Sequence, residues 1–317
     1  MYYLGVDIGG TTIKAGLVDD AGRLFEQSRI PTVTGDWPLC FSNLIALIRT
    51  FQSGFPLQSI GIGVPGLADS RTGRIRVSPN IPCLTDVSLG KVVADEVHVP
   101  VTVENDANAA AYGEFVCGLG IGLQHMAYLT LGTGVGSGVI LNGALFRGTS
   151  GYAVEFGHTT IQPAGRACAC GSSGCLESLA SAGGILLTAQ ELMQEGEISS
   201  LQAMVEPLSS ELIFEAARAG DPVAHRAFEV TGHWIGIACG NLINTLNPQL
   251  IAIGGGVMGA GDMLLNPVIA AAKRHSIAAS FEDCRIVQSK LGPEAGVIGA
   301  AMLARDALTS PCQNSLT

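Results

Sequence analysis

His158, Cys168, Cys170 and Cys175 supply one imidazole and three thiols within the stretch EFGHTTIQPAGRACACGSSGCLE (155–177), which is otherwise poor in charge. That is the donor set of a tetrahedral Cys3His zinc site, with Gly171 and Gly174 permitting the tight turn between ligands. The spacing C-x-C-G-x-x-G-C differs from the commoner C-x-x-C, so the reading rests on the cluster. Ordinary buried thiols are the alternative, but three of them beside Gly, Ser and Arg do not make a core face. Four protein ligands close a zinc site and leave no position for an activated water. The expected role is structural.

Three glycine turns follow apolar runs. Asp7-Ile8-Gly9-Gly10-Thr11-Thr12 offers a carboxylate at a strand end, which can hold Mg2+ through water, and backbone N–H groups and hydroxyls that can cradle phosphate. Thr133 and Gly134 lie in a second turn, Gly132–Gly138, and Gly254, Gly255 and Gly256 form a third, suited to close packing against a sugar or base. None is followed by the Gly-Lys-Ser/Thr of a Walker A loop. Asn105-Asp106 sits where a strand gives way to a helix, and Asp106 is either the cap of that helix or a general base for phosphoryl transfer. Glu155, His158 and Glu177, with Asn80 and Asn105, carry the acceptors and donors that a polyhydroxylated ring requires.

The elements that must position these groups can be read from periodicity. Runs at 2–6 and 13–18, joined by the first turn and followed by Leu24–Ile30, form a strand meander. Helical spacing over 36–51, a strand over 59–64, a helix to about Val97, a strand at 101–103 and an Ala-rich helix over 107–117 complete an α/β unit. The strand, glycine turn, strand pattern then begins again at Met126, which predicts a second domain of the same architecture. Helices are expected over 176–194, 211–219, 222–246, 264–275 and 294–308, with strands at 249–253 and 284–288. The predicted division is a small N-terminal lobe over 1–117 completed by a C-terminal helix (300–317), and a large lobe over 118–299 with the zinc insert at 158–175. The boundary near Gly118–Gly122 reads as a hinge.

Composition narrows the class. At 317 residues, 47% hydrophobic and 14% charged, the chain has material for two domains. A net charge of −10 argues against nucleic acid or an anionic membrane as partner. No signal peptide and no apolar run of membrane-spanning length is present, so a cytoplasmic protein with reduced or metal-bound cysteines is expected. Cys40, Cys83, Cys117, Cys239, Cys284 and Cys312 are scattered and read as small hydrophobes.

Four segments, DIGGTTIKAG (7–16), VENDANAA (103–110), LGTGVGSG (131–138) and the Cys-rich stretch, resemble the signatures of the ROK family of sugar kinases, within the superfamily of actin and hexokinase. The likeness covers Leu4 to about Ala304. It implies two RNase-H-like lobes around a central cleft and transfer of the ATP γ-phosphoryl group to the 6-hydroxyl of an aldohexose, glucose first, as in bacterial glucokinases. N-acetylglucosamine, N-acetylmannosamine and allose are alternatives. It also implies Asp106 as base and Asn80, Asn105, Glu155, His158 and Glu177 as sugar contacts. The first two glycine turns match phosphate motifs and Gly254–Gly256 an adenosine motif. The implied cofactors are ATP, Mg2+ and structural Zn2+, and the implied assembly a homodimer. The family also contains sugar-responsive repressors with an added N-terminal DNA-binding segment; with the first turn at Asp7, no such segment is expected here.

Overall fold

The computed structural model describes residues 1–204 and 206–309. Cys312 and the end of the expected 300–317 helix lie outside the described residues. The chain begins with β1 (Tyr2–Ile8), β2 (Thr12–Asp19), β3 (Leu24–Pro31), α1 (Trp37–Gln52), β4 (Leu57–Val64) and the short β5 (Leu67–Asp69) and β6 (Arg74–Val77). Next come α2 (Leu89–Val97), β7 (Val101–Asn105), α3 (Asp106–Cys117), β8 (Met126–Leu131), β9 (Val135–Leu141) and β10 (Ala144–Leu145). The remainder runs α4 (Leu176–Ala180), α5 (Ala182–Gln194), α6 (Ser210–Arg218), α7 (Pro222–Leu246), β11 (Leu250–Gly254), α8 (Asp262–His275), α9 (Ala278–Glu282), β12 (Arg285–Gln288) and α10 (Ala295–Thr309).

The fold is α/β with mixed sheets. Two five-stranded sheets share one strand order, β3-β2-β1-β4-β7 and β10-β9-β8-β11-β12, so the repeated sequence pattern is a repeated topology. In the first, β1 pairs antiparallel with its hairpin partner β2 and parallel with β4, which is reached through α1. In the second, β11 pairs parallel with both β8 and β12. Among the described residues, one compact unit gathers 1–123, 138–154 and 290–309, and the other 124–137, 155–204 and 206–289. The chain therefore returns to the first unit more often than a break at 117/118 anticipates.

Within the first unit, Leu4, Val6 and Ile8 of β1 are fully buried in one cluster with Leu44 and Ile48 of α1 and Ile60 and Ile62 of β4. Alternate apolar positions of the strand and an i, i+4 pair of the helix thus face the same core. Helix α3, which starts at Asp106, is seated by close backbone approach: a Cβ on Gly299 of α10 would lie 1.7 Å from the Ala109 carbonyl oxygen. No larger residue fits there, so α10 fixes the axis along which α3 presents its first turn.

Two expectations need correction. The helix predicted over 176–194 is two helices, because Ser181 takes an extended backbone (φ −73°, ψ 171°) and its hydroxyl caps α5 by accepting from Gly184 N–H. Helical spacing continues across the break, so the interruption is invisible in the periodicity. The second glycine turn is also shorter than 132–138, since β9 is already formed at Val135.

Candidate active site

In the first unit, the β1–β2 turn and the start of α3 converge on a pair of carboxylates. Gly9 N–H donates to the Thr12 carbonyl (3.0 Å), while Thr32 donates through its hydroxyl to Gly9 O (2.7 Å) and through its N–H to Thr11 O (3.0 Å). The turn is held from beneath, with Gly10 and Thr11 exposed at its tip. Asn80 reaches the same place, its Cβ 3.7 Å from where a Gly10 Cβ would stand. Desolvation, and next the nearby Asp106 carboxylate, push Asp7 up to about 6; Lys14 opposes the shift and Glu294 adds to it.

The helix cap is resolved in favour of the neighbour. Asn105 is the N-cap of α3, its Oδ1 accepting from Asn108 N–H at 3.0 Å while its Nδ2 donates to Gly66 O at 3.1 Å. Asp106 occupies the first helical position, its Oδ1 accepting from Ala107 N–H at 2.9 Å. The capping role considered for Asp106 belongs to Asn105, which therefore has a structural duty besides any contact with substrate. Just upstream, buried Glu104 accepts from Arg147 Nε at 2.6 Å and from Asn108 Nδ2 at 3.1 Å, pinning the strand end that carries Asn105 and Asp106.

In the second unit, the turn after β8 is tied to Glu177. Val135 N–H donates to Glu177 Oε2 at 3.0 Å, and a Cβ on Gly134 would come within 2.5 Å of that oxygen, so glycine is what lets the carboxylate approach. Ala182 N–H at the start of α5 donates to Gly132 O at 2.9 Å. Glu155 is held above its ordinary range, by loss of hydration first and then by the Glu177 carboxylate, against the opposing pull of His158. Glu155, His158 and Glu177 are therefore electrostatic neighbours.

The predicted zinc ligands are brought together. The donor atoms of His158, Cys168, Cys170 and Cys175 all lie within 4.8 Å of one another. His158 Nδ1 is 3.7 Å from Cys168 Sγ, and Cys170 Sγ is 3.7 Å from Cys175 Sγ. A tetrahedron with Zn–S of ~2.3 Å has sulfur edges of roughly 3.7–3.8 Å, so these separations fit the metal and are far too long for a disulfide. Burial first, and then the adjoining Cys170 and Cys168 thiols, push the Cys175 thiol up to about 12, a group that a divalent cation would deprotonate.

Thr133 and Gly256 line a cavity of about 330 Å³ together with Ile185, Phe214, Phe228 and Glu211. The rings of Phe214 and Phe228 pack edge to face at 6.0 Å. Gly254 and Gly255 are closely packed: a Cβ on Gly254 would strike the Tyr128 hydroxyl at 2.2 Å, and Gly255 sits at φ 90° against Leu131. Sequence reasoning missed Ile185, Phe214, Phe228 and Glu211, because the helices that carry them have no glycine turn to mark them. It also passed over Glu104, Arg147 and Arg166, although Arg166 stood out as the one Lys or Arg in the 23-residue stretch that holds the candidate metal ligands.

The ROK family model matches residues 3–307. The chain is 38% identical to the glucokinase of Halalkalibacterium halodurans, with 96% of this chain and 95% of that one aligned. It is 32% identical to the xylose repressor of Bacillus subtilis over 96% of this chain and 77% of the repressor. Among solved structures, a ROK family glucokinase from Streptomyces griseus in complex with glucose and AMPPNP superposes with a TM-score of 0.85 at 35% identity, covering 96% of this chain and 100% of that one.

Proposed function

The chain belongs to the ROK family, and on that footing we propose that it is an ATP-dependent hexose kinase that phosphorylates the 6-hydroxyl of glucose. The observation that carries the reading is Asp106 at the start of α3, beside Asp7, with the cap duty taken by Asn105. Asp106 accepts the proton of the hydroxyl as its oxygen bonds to the γ-phosphorus, the bond to the bridging oxygen breaks, and ADP leaves. Gly9 shapes the first turn, its N–H given to the Thr12 carbonyl, and the N–H of Gly10 with the hydroxyls of Thr11 and Thr12 serves one set of phosphate oxygens; Thr133 and Gly134 serve another. The apolar cavity at Gly256, walled by Phe214 and Phe228, suits the adenosine end and favours a nucleotide over bare polyphosphate as donor. Mg2+, when bound, neutralises charge developing on the phosphate oxygens, and Asp7 is the residue that would hold it through water.

For the sugar, Glu155 and Glu177 accept from ring hydroxyls, with Asn80 and Asn105 adding amide contacts. His158 turns Nδ1 toward Cys168, so that nitrogen would join Cys168, Cys170 and Cys175 on zinc and leave Nε2 for a hydroxyl. The zinc would act as a staple that fixes the imidazole. The shared strand order of the two sheets supports reading each unit as an RNase-H-like lobe, and the family resemblance supports a homodimer, which light scattering of the purified protein tests.

The decisive experiment is ADP release measured across glucose, mannose, allose and the N-acetylhexosamines, with ATP or polyphosphate as donor. Glucose with ATP should give the highest kcat/KM. A higher value with an N-acetylhexosamine moves the assignment within the class, and no turnover with any sugar overturns it. Similarity to xylose repressors makes regulation the second reading; sugar-sensitive retardation of promoter DNA in the absence of kinase activity would favour it.

A further inference from the structure

We infer that Arg166 is a positioning residue for the hexose pocket: its guanidinium locks the zinc loop to α4, which carries Glu177, and to α5, which follows it. The inference rests on the kinase reading above. A lone cation two residues before the first thiol could serve as a counter-charge to sulfur, but the structure turns it away from the ligands and uses all five of its N–H donors elsewhere. Nε and Nη2 form a fork with the Glu191 carboxylate at 2.9 and 2.5 Å, and Nη2 also donates to Thr188 Oγ1 at 2.9 Å. Nη1 donates to the carbonyls of Ser178 at 3.2 Å and Gly184 at 3.0 Å.

The partners explain the role. Ser178 follows Glu177 directly, and the carbonyl of Gly184 belongs to the first turn of α5, where Ala182 N–H holds Gly132 of the phosphate turn. On the loop side, Gly174 N–H donates to the Arg166 carbonyl at 2.7 Å, so the residue is fastened between Cys168 and Cys175. One side chain thus ties the metal loop to the helix that carries the sugar-binding Glu177 and to the start of α5, while Gly132 of the phosphate turn is held separately, by Ala182 N–H. Lysine cannot reproduce this, having three donors on a point charge in place of a planar fork. The side chain is 17% exposed, and a cavity of about 370 Å³ lined by Arg166, Thr188, Glu191 and Trp234 gives water access to the network. Truncating the arginine therefore leaves groups that water can reach, and the variant should fold.

The test compares Arg166→Met, Arg166→Lys and Glu191→Gln with the wild type in KM for glucose, KM for ATP, thermal midpoint and the rate of zinc release to a colorimetric chelator. Arg166→Met should raise the glucose KM about tenfold and speed zinc release about tenfold, with the ATP KM within about twofold. Arg166→Lys should keep most of the defect, and Glu191→Gln should show a smaller one in the same direction. A glucose KM unchanged in Arg166→Met, or glucose and ATP KM values rising together, overturns the proposal, since a merely structural residue lowers the thermal midpoint without that split. If Arg166→Met does not fold, the same criteria apply to Arg166→Lys and Glu191→Gln. If the wild type phosphorylates no hexose, the kinase reading fails, and the zinc-release rate alone then decides the role of Arg166.

Discussion

The turn after β1 and the turn after β8 each follow the middle strand of a five-stranded sheet of the same order, yet they are furnished differently. The first is set among carboxylates: Asp7 at the strand end, Asp106 close by, and Glu294 adding to the same field. The second binds Glu177 through Val135 N–H and borders a cavity in which Glu211 stands beside the rings of Phe214 and Phe228. Local backbone grammar is shared because a strand, tight turn and strand offers N–H groups to an anion in either place. On the proposed reading the neighbours differ because the first turn would be the chemical end, where proton and metal charge are managed, and the second a binding end.

That contrast can be broken in four ways. Asp106→Asn should lower kcat by about a thousandfold or more while glucose affinity, measured by calorimetry, changes little; a kcat within tenfold of wild type would remove the chemistry from the first turn. Asp7 gives a stability signature. Its native pKa of about 6 exceeds the ordinary 3.8, so the native state binds this proton more tightly than the unfolded chain does. The resulting stabilisation is complete below about pH 4 and is lost as pH rises through about 6, a change of at most ~3 kcal/mol. Urea titrations of wild type and Asp7→Asn in magnesium-free buffer should diverge across that window, and parallel curves would refute the coupling.

Zinc removal bears on the second unit. Chelation should weaken glucose use by about ten- to a hundredfold with ATP affinity nearly intact, whereas full activity with well under one zinc per chain would dismiss the staple. Gly134→Ala is the mildest: its methyl group presses on Glu177 Oε2, so glucose KM should rise by roughly three- to tenfold, about the value of one hydrogen bond. An equal change in an alanine substituted at exposed Gly10 would erase the distinction between the two turns.

Much of this was legible beforehand. The helices at 37–52 and 222–246 and the first glycine turn stand where periodicity and spacing put them, and His158, Cys168, Cys170 and Cys175 come together as their spacing suggests, because each is a short-range pattern. The break at Ser181 was not legible, since apolar spacing runs across it. Nor was the identity of the α3 cap, because Asn105 and Asp106 are both good caps and only backbone angles choose between them. Phe214, Phe228, Glu104 and Arg147 carried no local mark of function, the two rings lying 14 residues apart and Glu104 43 residues from Arg147; Arg166 stood alone as a cation in its loop, but its partners lie 12 to 25 residues further on.

By itself, the order of residues determined which chemistry was available: oxygen donors at strand ends, N–H groups at glycine turns, and three thiols with an imidazole. Those are properties of side-chain type and near-neighbour spacing. Tertiary structure alone decided which carboxylate is raised, which residue caps and which side chains the Arg166 guanidinium meets. Desolvation, Coulomb interaction and hydrogen bonding act through space, over a few ångströms that separate residues far apart along the chain.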